Sequence, residues 1–326
     1  MAEFYGRKIE IICNGITLTN ELDITFEIPF DNTPSVNTAR IKIYNLLDQT
    51  IIKFEHNKEL IINAGYQGNF GAVLKGLVKK VETEWEGPDK LTTITVADLT
   101  DNWVGKTFEK TYAEDVYAST ILRDAANAVG IAIGQILLPE DKIYKGGKTI
   151  KGEASKTIAE IVPDCNAYMN VAYGRLWIQG RDQGTQSGVL LNKDSGLIGT
   201  PIPISKQEDY KVNKIVHEEV TKDGKTWTEP KNVEETNRRM FYGYKIRMML
   251  NYRIGADSIF KIESSTANAI LRVENGKHDG SEFITEVEAY AQVDMDDGSF
   301  YGNDVNDPNR GKPGYYQVED GSWVNW

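Results

Sequence analysis

His56, His217 and His278 are the chain's histidines and Cys13 and Cys165 its cysteines, so a zinc site or a cysteine–histidine pair would have to draw on these five residues. None of the histidines has a Cys, His, Asp or Glu at the spacing of a zinc or metalloprotease motif, which must bring its ligands together on one helix face or one turn. No Gly-x-Ser-x-Gly elbow is present, and neither cysteine has a histidine beside it in sequence to take its proton. Lys145-Gly146-Gly147-Lys148-Thr149 ends like a phosphate-binding loop, but Lys142 stands where the first glycine belongs and no strand-to-helix context surrounds it. A surface turn is expected there. Carboxylates are so numerous that some pair falls at a glycosidase-like separation by chance, and in this number they form a solvated face. The residues predict no enzyme, no cofactor and no metal site. His278, which follows Gly276-Lys277, is expected in a turn between two strands as a structural imidazole, hydrogen-bonded or solvent-facing.

Charge narrows the partners. With 48 acidic against 37 basic residues the chain carries a net charge of -11 and has no Lys/Arg-rich run, so most of its surface repels a phosphate backbone. No nucleic-acid sequence recognition is expected. Two cysteines in different expected domains, and no Asn-x-Ser/Thr sequon, suit a reducing cytosol with both thiols buried or idle. Met1 to Glu10 lacks the apolar stretch of a signal peptide, and no run approaches the roughly 18 apolar residues of a membrane span. The expectation is a soluble protein made in the cytoplasm.

The positioning elements are mostly strands. Glu59 to Trp103 reads as Leu60–Tyr66, a turn at Gln67-Gly68-Asn69, a long strand from Ala72 to Trp85, a turn at Glu86–Lys90, and Leu91–Ala97. Val81, Thr83 and Trp85 share one face of the long strand and Lys80, Glu82 and Glu84 the other. Gly76 within that strand predicts a bulge or a barrel corner. Before it, Ile9/Ile11/Cys13, Ile24/Phe26/Ile28/Phe30 and Ile41/Ile43 give three more alternating strands, and Asp48 to Glu55 a short helix. Strands at this density within about one hundred residues predict a small antiparallel barrel or sandwich.

After Trp103 the period changes. Tyr112 to Val129 predicts a helix with Ile121, Leu122, Ala125 and Val129 as its apolar stripe and Gly130 as its cap. A second helix is expected near Ser155, with Thr157 and Glu160 as a capping box and Pro163 ending or kinking it after about two turns. Tyr168 to Gln179 reads as a hairpin over Tyr173-Gly174. From about Ser195 strands return: a long polar hairpin over Asp223-Gly224, then Lys245–Leu250, Ser258–Glu263, Ala269–Asn275 and Glu282–Val293. Their order repeats that around Leu60, Val73 and Ile94, a weak internal duplication that any two antiparallel meanders would also show.

The expected fold class is therefore mainly β with an α+β insert: two small antiparallel β-barrel domains of similar topology flanking a mixed α/β domain. The first barrel is expected over 1–105, the insert over 106–195, the second barrel over 196–293 with its polar hairpin near 212–230, and an irregular acidic, aromatic arm over 294–326. That arm carries seven acids against two bases and six aromatics from Phe300 to Trp326. Tyr315, Tyr316, Trp323 and Trp326 are the candidate partner-docking residues, since each can bury a large apolar face.

Several stretches, in order, resemble one family. Asn63-Ala64-Gly65-Tyr66, Lys75-Gly76-Leu77-Val78 and Thr92–Asp98 are similar to the first barrel of phage tail or baseplate hub proteins, the group that includes late-control D-type proteins. Thr149-Ile150-Lys151-Gly152 and Val171–Ile178 resemble the hub insert. Ser195–Pro201, Leu250–Ile254, Ile270–His278 and Phe283–Glu286 resemble its second barrel. The match covers residues 5 to 293.

The resemblance implies a non-enzymatic virion structural protein of a phage tail or tailocin particle, made in the bacterial cytoplasm. Such hubs are homotrimers whose two barrels per subunit make a six-fold-like ring. One face meets the tail tube or a distal tail protein, and the other carries a trimeric spike or tail-tip protein. An alternative is the hub-like N-terminal part of a tail-associated cell-wall lysin, for which no hydrolase segment follows Val293, or a receptor- or carbohydrate-binding tail module.

Overall fold

Alternating apolar residues form the first strands: β1 (Lys8–Cys13), β2 (Ile16–Thr19), β3 (Ile24–Asp31) and β4 (Thr38–Tyr44). A one-turn helix, α1 (Asp48–Ile51), leads into β5 (Glu59–Tyr66), β6 (Asn69–Glu86) and β7 (Asp89–Ala97). Ile11, Ile41, Ile43, Ile62 and Ile94 are fully buried, as the period of two requires when one face meets a core. This computed structural model describes residues 4–33, 36–97, 103, 105–180, 183–222, 225–291, 315–317 and 323–325.

Two details of the first strands depart from the sequence expectation. β2 was not expected: Ile16 and Leu18 alternate with Thr17 and Thr19, but four residues are too short a run to establish the period. It pairs with β1 across Asn14-Gly15, both left-handed at φ 44° and 77°, which is the geometry of a two-residue hairpin turn. Gly76 marks a corner: Leu77 pairs with both Glu59 of β5 and Ala97 of β7, and bulges at Val73 and Lys79 flank the exchange of partners. A Cβ at Gly76 would stand 2.5 Å from the Ala97 carbonyl oxygen, so the position requires glycine. Beyond Val81 the β6–β7 hairpin runs past the core, and Trp85, which shares a face with Val81 and Thr83, is 73% exposed.

The insert comprises β8 (Thr107–Tyr112), β9 (Val116–Tyr117), α2 (Ala118–Val129), β10 (Ala132–Leu137), β11 (Ile143–Tyr144), β12 (Lys148–Glu153), α3 (Ala154–Asp164), β13 (Ala167–Ala172) and β14 (Arg175–Gly180). α2 starts six residues later than expected, and Asp141 caps it by accepting from the Ser119 backbone N–H at 2.9 Å and the Ser119 hydroxyl at 2.6 Å. Its predicted stripe is buried and Gly130 ends it in the left-handed conformation. The expected capping box of α3 is absent because the helix begins at Ala154, which puts Thr157 inside it. The Thr157 hydroxyl instead donates to the Glu153 carbonyl at 3.1 Å. Lys145 to Gly147 forms a turn that enters β12 rather than a helix, so it is no phosphate loop.

The last strands are β15 (Thr185–Leu191), β16 (Leu197–Lys222), β17 (Lys225–Met249), β18 (Ser258–Glu263), β19 (Asn268–Asp279) and β20 (Ile284–Ala291), with a short pair β21 (Tyr315–Gln317) and β22 (Trp323–Asn325). The polar hairpin is longer than its sequence signal, because β16 and β17 pair continuously from Ile202/Lys245 out to Lys222/Lys225, while β20 joins β17 only over Gly243–Met249. Its expected turn residues, Asp223 and Gly224, lie outside the described residues.

Hydrogen bonding reveals two units with one strand order. The first runs β1-β5-β6-β7-β4-β3 and the second β15-β18-β19-β20-β17-β16, so each of these strands has its counterpart, with β2 an addition beyond β1. They differ at one edge: β1 is antiparallel to β5, whereas β15 is parallel to β18. β3 then pairs antiparallel with β19, from Asn275/Asp31 to Asp279/Glu27, and fuses both units into one 13-stranded sheet. Three cores result, one per unit and one around α2 and α3. Phe283 crosses between them. It was expected to open the last strand, but it is left-handed at φ 66° and inserts into the first core, where it meets Tyr66 edge-on at 5.3 Å.

Candidate functional site

Where the two units and the insert meet, they leave a cleft of about 420 Å³. β3 and β6 bring Phe30 and Val73, β13 and β14 bring Asn170, Trp177 and Gln179, and the second unit brings Tyr252 and His278. The period of two explains the contribution of the insert. Met169, Val171, Leu176 and Ile178 face its own core, which turns Tyr168, Asn170, Trp177 and Gln179 to the opposite face. Trp177 lies flat against Gly134 of β10, where a Cβ would come within 2.5 Å of the indole.

Behind the cleft is a buried polar cluster. Arg272 of β19 forms an ion pair with Asp257, and the two side chains are 4% and 2% exposed. Asn170 donates its Nδ2 amide to the other Asp257 oxygen, and Arg272 stacks over the Tyr168 ring at 5.6 Å. Asp257 is left-handed at φ 63°, held there by its own N–H to the Val273 carbonyl at 3.0 Å and by the Thr185 N–H on its carbonyl at 2.9 Å. A second cavity of about 170 Å³ opens beside Arg272 and Tyr168. Next to it the Tyr168 hydroxyl donates to Glu208 at 2.7 Å, and Lys206 bridges Glu208 and Glu274.

His278 lies within β19 rather than in a turn, and it is buried and hydrogen-bonded. Its Nδ1 is 2.9 Å from the Thr285 hydroxyl oxygen, which accepts the Asn251 N–H at 3.0 Å. Phe30 packs at 5.0 Å. Burial pushes the imidazole pKa down to about 4, against a smaller opposing effect of its hydrogen bond to the Ile254 backbone. It is therefore neutral at physiological pH.

Both cysteines are free and buried. Burial raises both thiol pKa values, Cys165 to about 11, which makes them poor nucleophiles. Among the described residues no group of three or more His, Cys, Asp or Glu side chains is placed to hold a metal ion. No described helix is long and apolar enough to cross a membrane.

Of the four candidate docking aromatics, Tyr315 and Tyr316 lie on β21 and Trp323 on β22, paired in the register Tyr316/Val324 and Gln317/Trp323. Trp326 and the rest of the arm lie outside the described residues. Apart from His278, the cleft residues were not singled out in the sequence. Their one signal is the alternation Tyr168-x-Asn170 and Trp177-x-Gln179, polar positions that interrupt an otherwise apolar hairpin.

No protein-family model matches the chain, and no curated protein matches its sequence. Solved structures do match its fold. The 43 kDa tail protein of prophage MuSo2 from Shewanella oneidensis aligns over 88% of this chain and 99% of its own, at 8% identity and a TM-score of 0.56. The tail protein from Neisseria meningitidis MC58 aligns over 88% and 97%, at 8% identity and a TM-score of 0.54. The E. coli c3393 protein, a component of the type VI secretion system with structural similarity to T4 bacteriophage tail proteins gp27 and gp5, aligns over 89% and 78%, at 7% identity and a TM-score of 0.52. The fold of this chain, two like-ordered β units around an α+β insert, is that of phage tail proteins.

Proposed function

We propose that the chain is a structural, non-enzymatic component of a phage or phage-like tail, and within it the hub that joins a six-fold tail tube to a three-fold spike or tip. The observation that carries this reading is the repeated strand order, β1-β5-β6-β7-β4-β3 and β15-β18-β19-β20-β17-β16, fused through β3 and β19. Two like units in one chain let three chains present six similar faces, which resolves the mismatch between a six-fold partner and a three-fold one. The fold shared with tail proteins supports the tail location. Trp85 on the β6–β7 tip, 73% exposed, and the long β16–β17 ribbon are surfaces for neighbours in such a ring.

The arm from Asp294 to Trp326 fits the same reading as an extension lying on a neighbouring subunit or on the spike, through Tyr315, Tyr316, Trp323 and Trp326. Mass measurement of the purified protein, with and without a candidate tube protein, tests the hub. A trimer, alone or on the tube, is the expected result. One or six copies at the tail axis in a particle reconstruction would exclude it.

A further inference from the structure

The seam inside the chain shows how one β unit joins the next. β18 and β3 share one edge of β19, β18 along residues 268–272 and β3 along residues 275–279, while β20 holds the opposite edge. β3 meets β19 with the edge that β4 leaves open, since Glu27 pairs with Arg40 on one side and Asp279 on the other. Both of these edges have counterparts that are bare. The strand equivalent to β19 is β6, which β5 covers on one edge as far as Leu77 and β7 on the other. Val78 still exchanges backbone hydrogen bonds with Asn57 and Lys58, and beyond it no strand lies on the β5 side among the described residues. The strand equivalent to β3 is β16, which ends the 13-stranded sheet with no strand on its side away from β17.

The two units match row by row. Glu27, Arg40, Thr95 and Lys80 are successive partners across β3, β4, β7 and β6. Ile202, Lys245, Glu288 and Asn275 are successive partners across β16, β17, β20 and β19. Each row ends just past a bulge, between Val78 and Lys80 in β6 and between Val273 and Asn275 in β19. Three residues further on, Thr83 meets the buried Thr92 at 3.3 Å and His278 meets the buried Thr285 at 2.9 Å. Equivalent positions differ only in cover. Beside β3, His278 is 2% exposed, whereas Thr83 is exposed together with Lys80, Glu82 and Glu84. On β16, Ile202 is 60% exposed. An open antiparallel edge presents a row of N–H and C=O groups to which another strand can add.

We infer that β16 of one chain pairs antiparallel with the open edge of β6 in a second copy of this chain, repeating the β3–β19 seam between molecules. The register of the internal seam places Ile202 opposite Glu84 and Lys206 opposite Lys80. Pro203 is no obstacle, because Pro29 occupies the internal seam. Both lysines already have carboxylate partners, Lys80 in Glu82 and Lys206 in Glu208 and Glu274. This pairing rests on the ring reading above and names its strands: seams within and between chains alternate, so three chains close a circuit of six units.

The full chain carrying Glu84→Cys and Ile202→Cys tests it. Both positions are exposed, the native Cys13 and Cys165 are buried, and residues directly opposite on antiparallel strands have Cβ atoms about 5 Å apart, close enough for a disulfide. A second pair, Thr17→Cys with Ile202→Cys, probes β2, the edge strand at the other end of the sheet. Each variant is first shown to unfold cooperatively like the parent, its mass is measured alone and with a candidate tube protein, and it is then oxidised with copper phenanthroline in air. The monomer band on a non-reducing gel should give way to a band of three linked chains, at least tenfold faster for the Glu84 pair than for the Thr17 pair. A trimer by mass whose chains stay unlinked through the Glu84 pair, or link as fast through the Thr17 pair, would overturn the strand pairing and leave the ring standing. Chains that link through the Glu84 pair but close in another number would support the pairing and exclude the three-chain ring. A chain that stays monomeric and unlinked in both conditions would overturn both.

Discussion

The first β unit fills its interior with Ile11, Ile41, Ile62 and Ile94, and among its described residues Thr92 alone is a buried polar side chain. The second unit, with the same strand order, buries Asn251, Asp257, Ser258, Arg272, His278 and Thr285. Strand order therefore does not dictate core chemistry. The difference follows from what each unit meets. β19 of the second unit receives β3 on one edge, and its Arg272 lies against the Tyr168 face of the insert, so its side chains must satisfy a seam. The first unit contributes its edge strand to that seam and keeps an apolar interior.

Breaking the Asp257–Arg272 pair should give the largest effect. Arg272→Met leaves a carboxylate buried without its counter-charge and should cost about 3–5 kcal/mol in urea unfolding followed by tryptophan fluorescence. Ile62→Val in the first unit, which only trims a methyl, should cost about 1 kcal/mol. Equal losses would mean that the two interiors are held together in the same way. Adding Asp257→Asn to Arg272→Met should recover much of the loss, because the unmatched charge is gone.

The pH dependence comes next. His278 titrates near 4 when folded and near 6.5 when unfolded, so between these values the unfolded chain binds the extra proton. Stability should fall as pH drops through that window, by up to about 3 kcal/mol at its lower end, and be unaffected by this group above it. His278→Gln should remove this share of the slope. If wild type and variant lose stability in parallel from pH 6.5 to 4, the imidazole is not held neutral by the fold.

The smallest effect on folding is expected at the β6–β7 tip. Trp85→Ser should change stability by no more than about 0.5 kcal/mol, since the ring is 73% exposed and rests on no core. Its effect should appear in assembly, as a lower fraction of trimer at a fixed concentration. A loss above about 1 kcal/mol in the isolated chain would show that the tip packs on its own unit.

Much of the fold was legible from local chemistry. Alternation located β1, β3 to β7 and β18 to β20. Tyr173-Gly174 marked its turn because both residues sit in the left-handed region, at φ 53° and 72°. Gly130 marked the end of α2, and Gly76 marked the corner. The short strands β2, β9 and β11 were not legible, because a run of two to four residues is too short to establish a period. α2 was placed too early because its cap, Asp141, comes from a distant turn. Phe283 was assigned to a strand by alternation, yet tertiary contact with Tyr66 pulls it into the other core.

The sequence by itself determined which residues face inward along most strands, where many of the turns lie, and that a helical piece interrupts two β stretches. Each of these depends on a period or a turn preference contained within a few residues. Only the tertiary structure decided that β3 pairs with β19, that β15 runs parallel to β18, and that Asn170 turns toward Asp257. Backbone hydrogen bonding is the same for every strand, so a strand's own residues do not name its partner; the packing of side chains distant in sequence does.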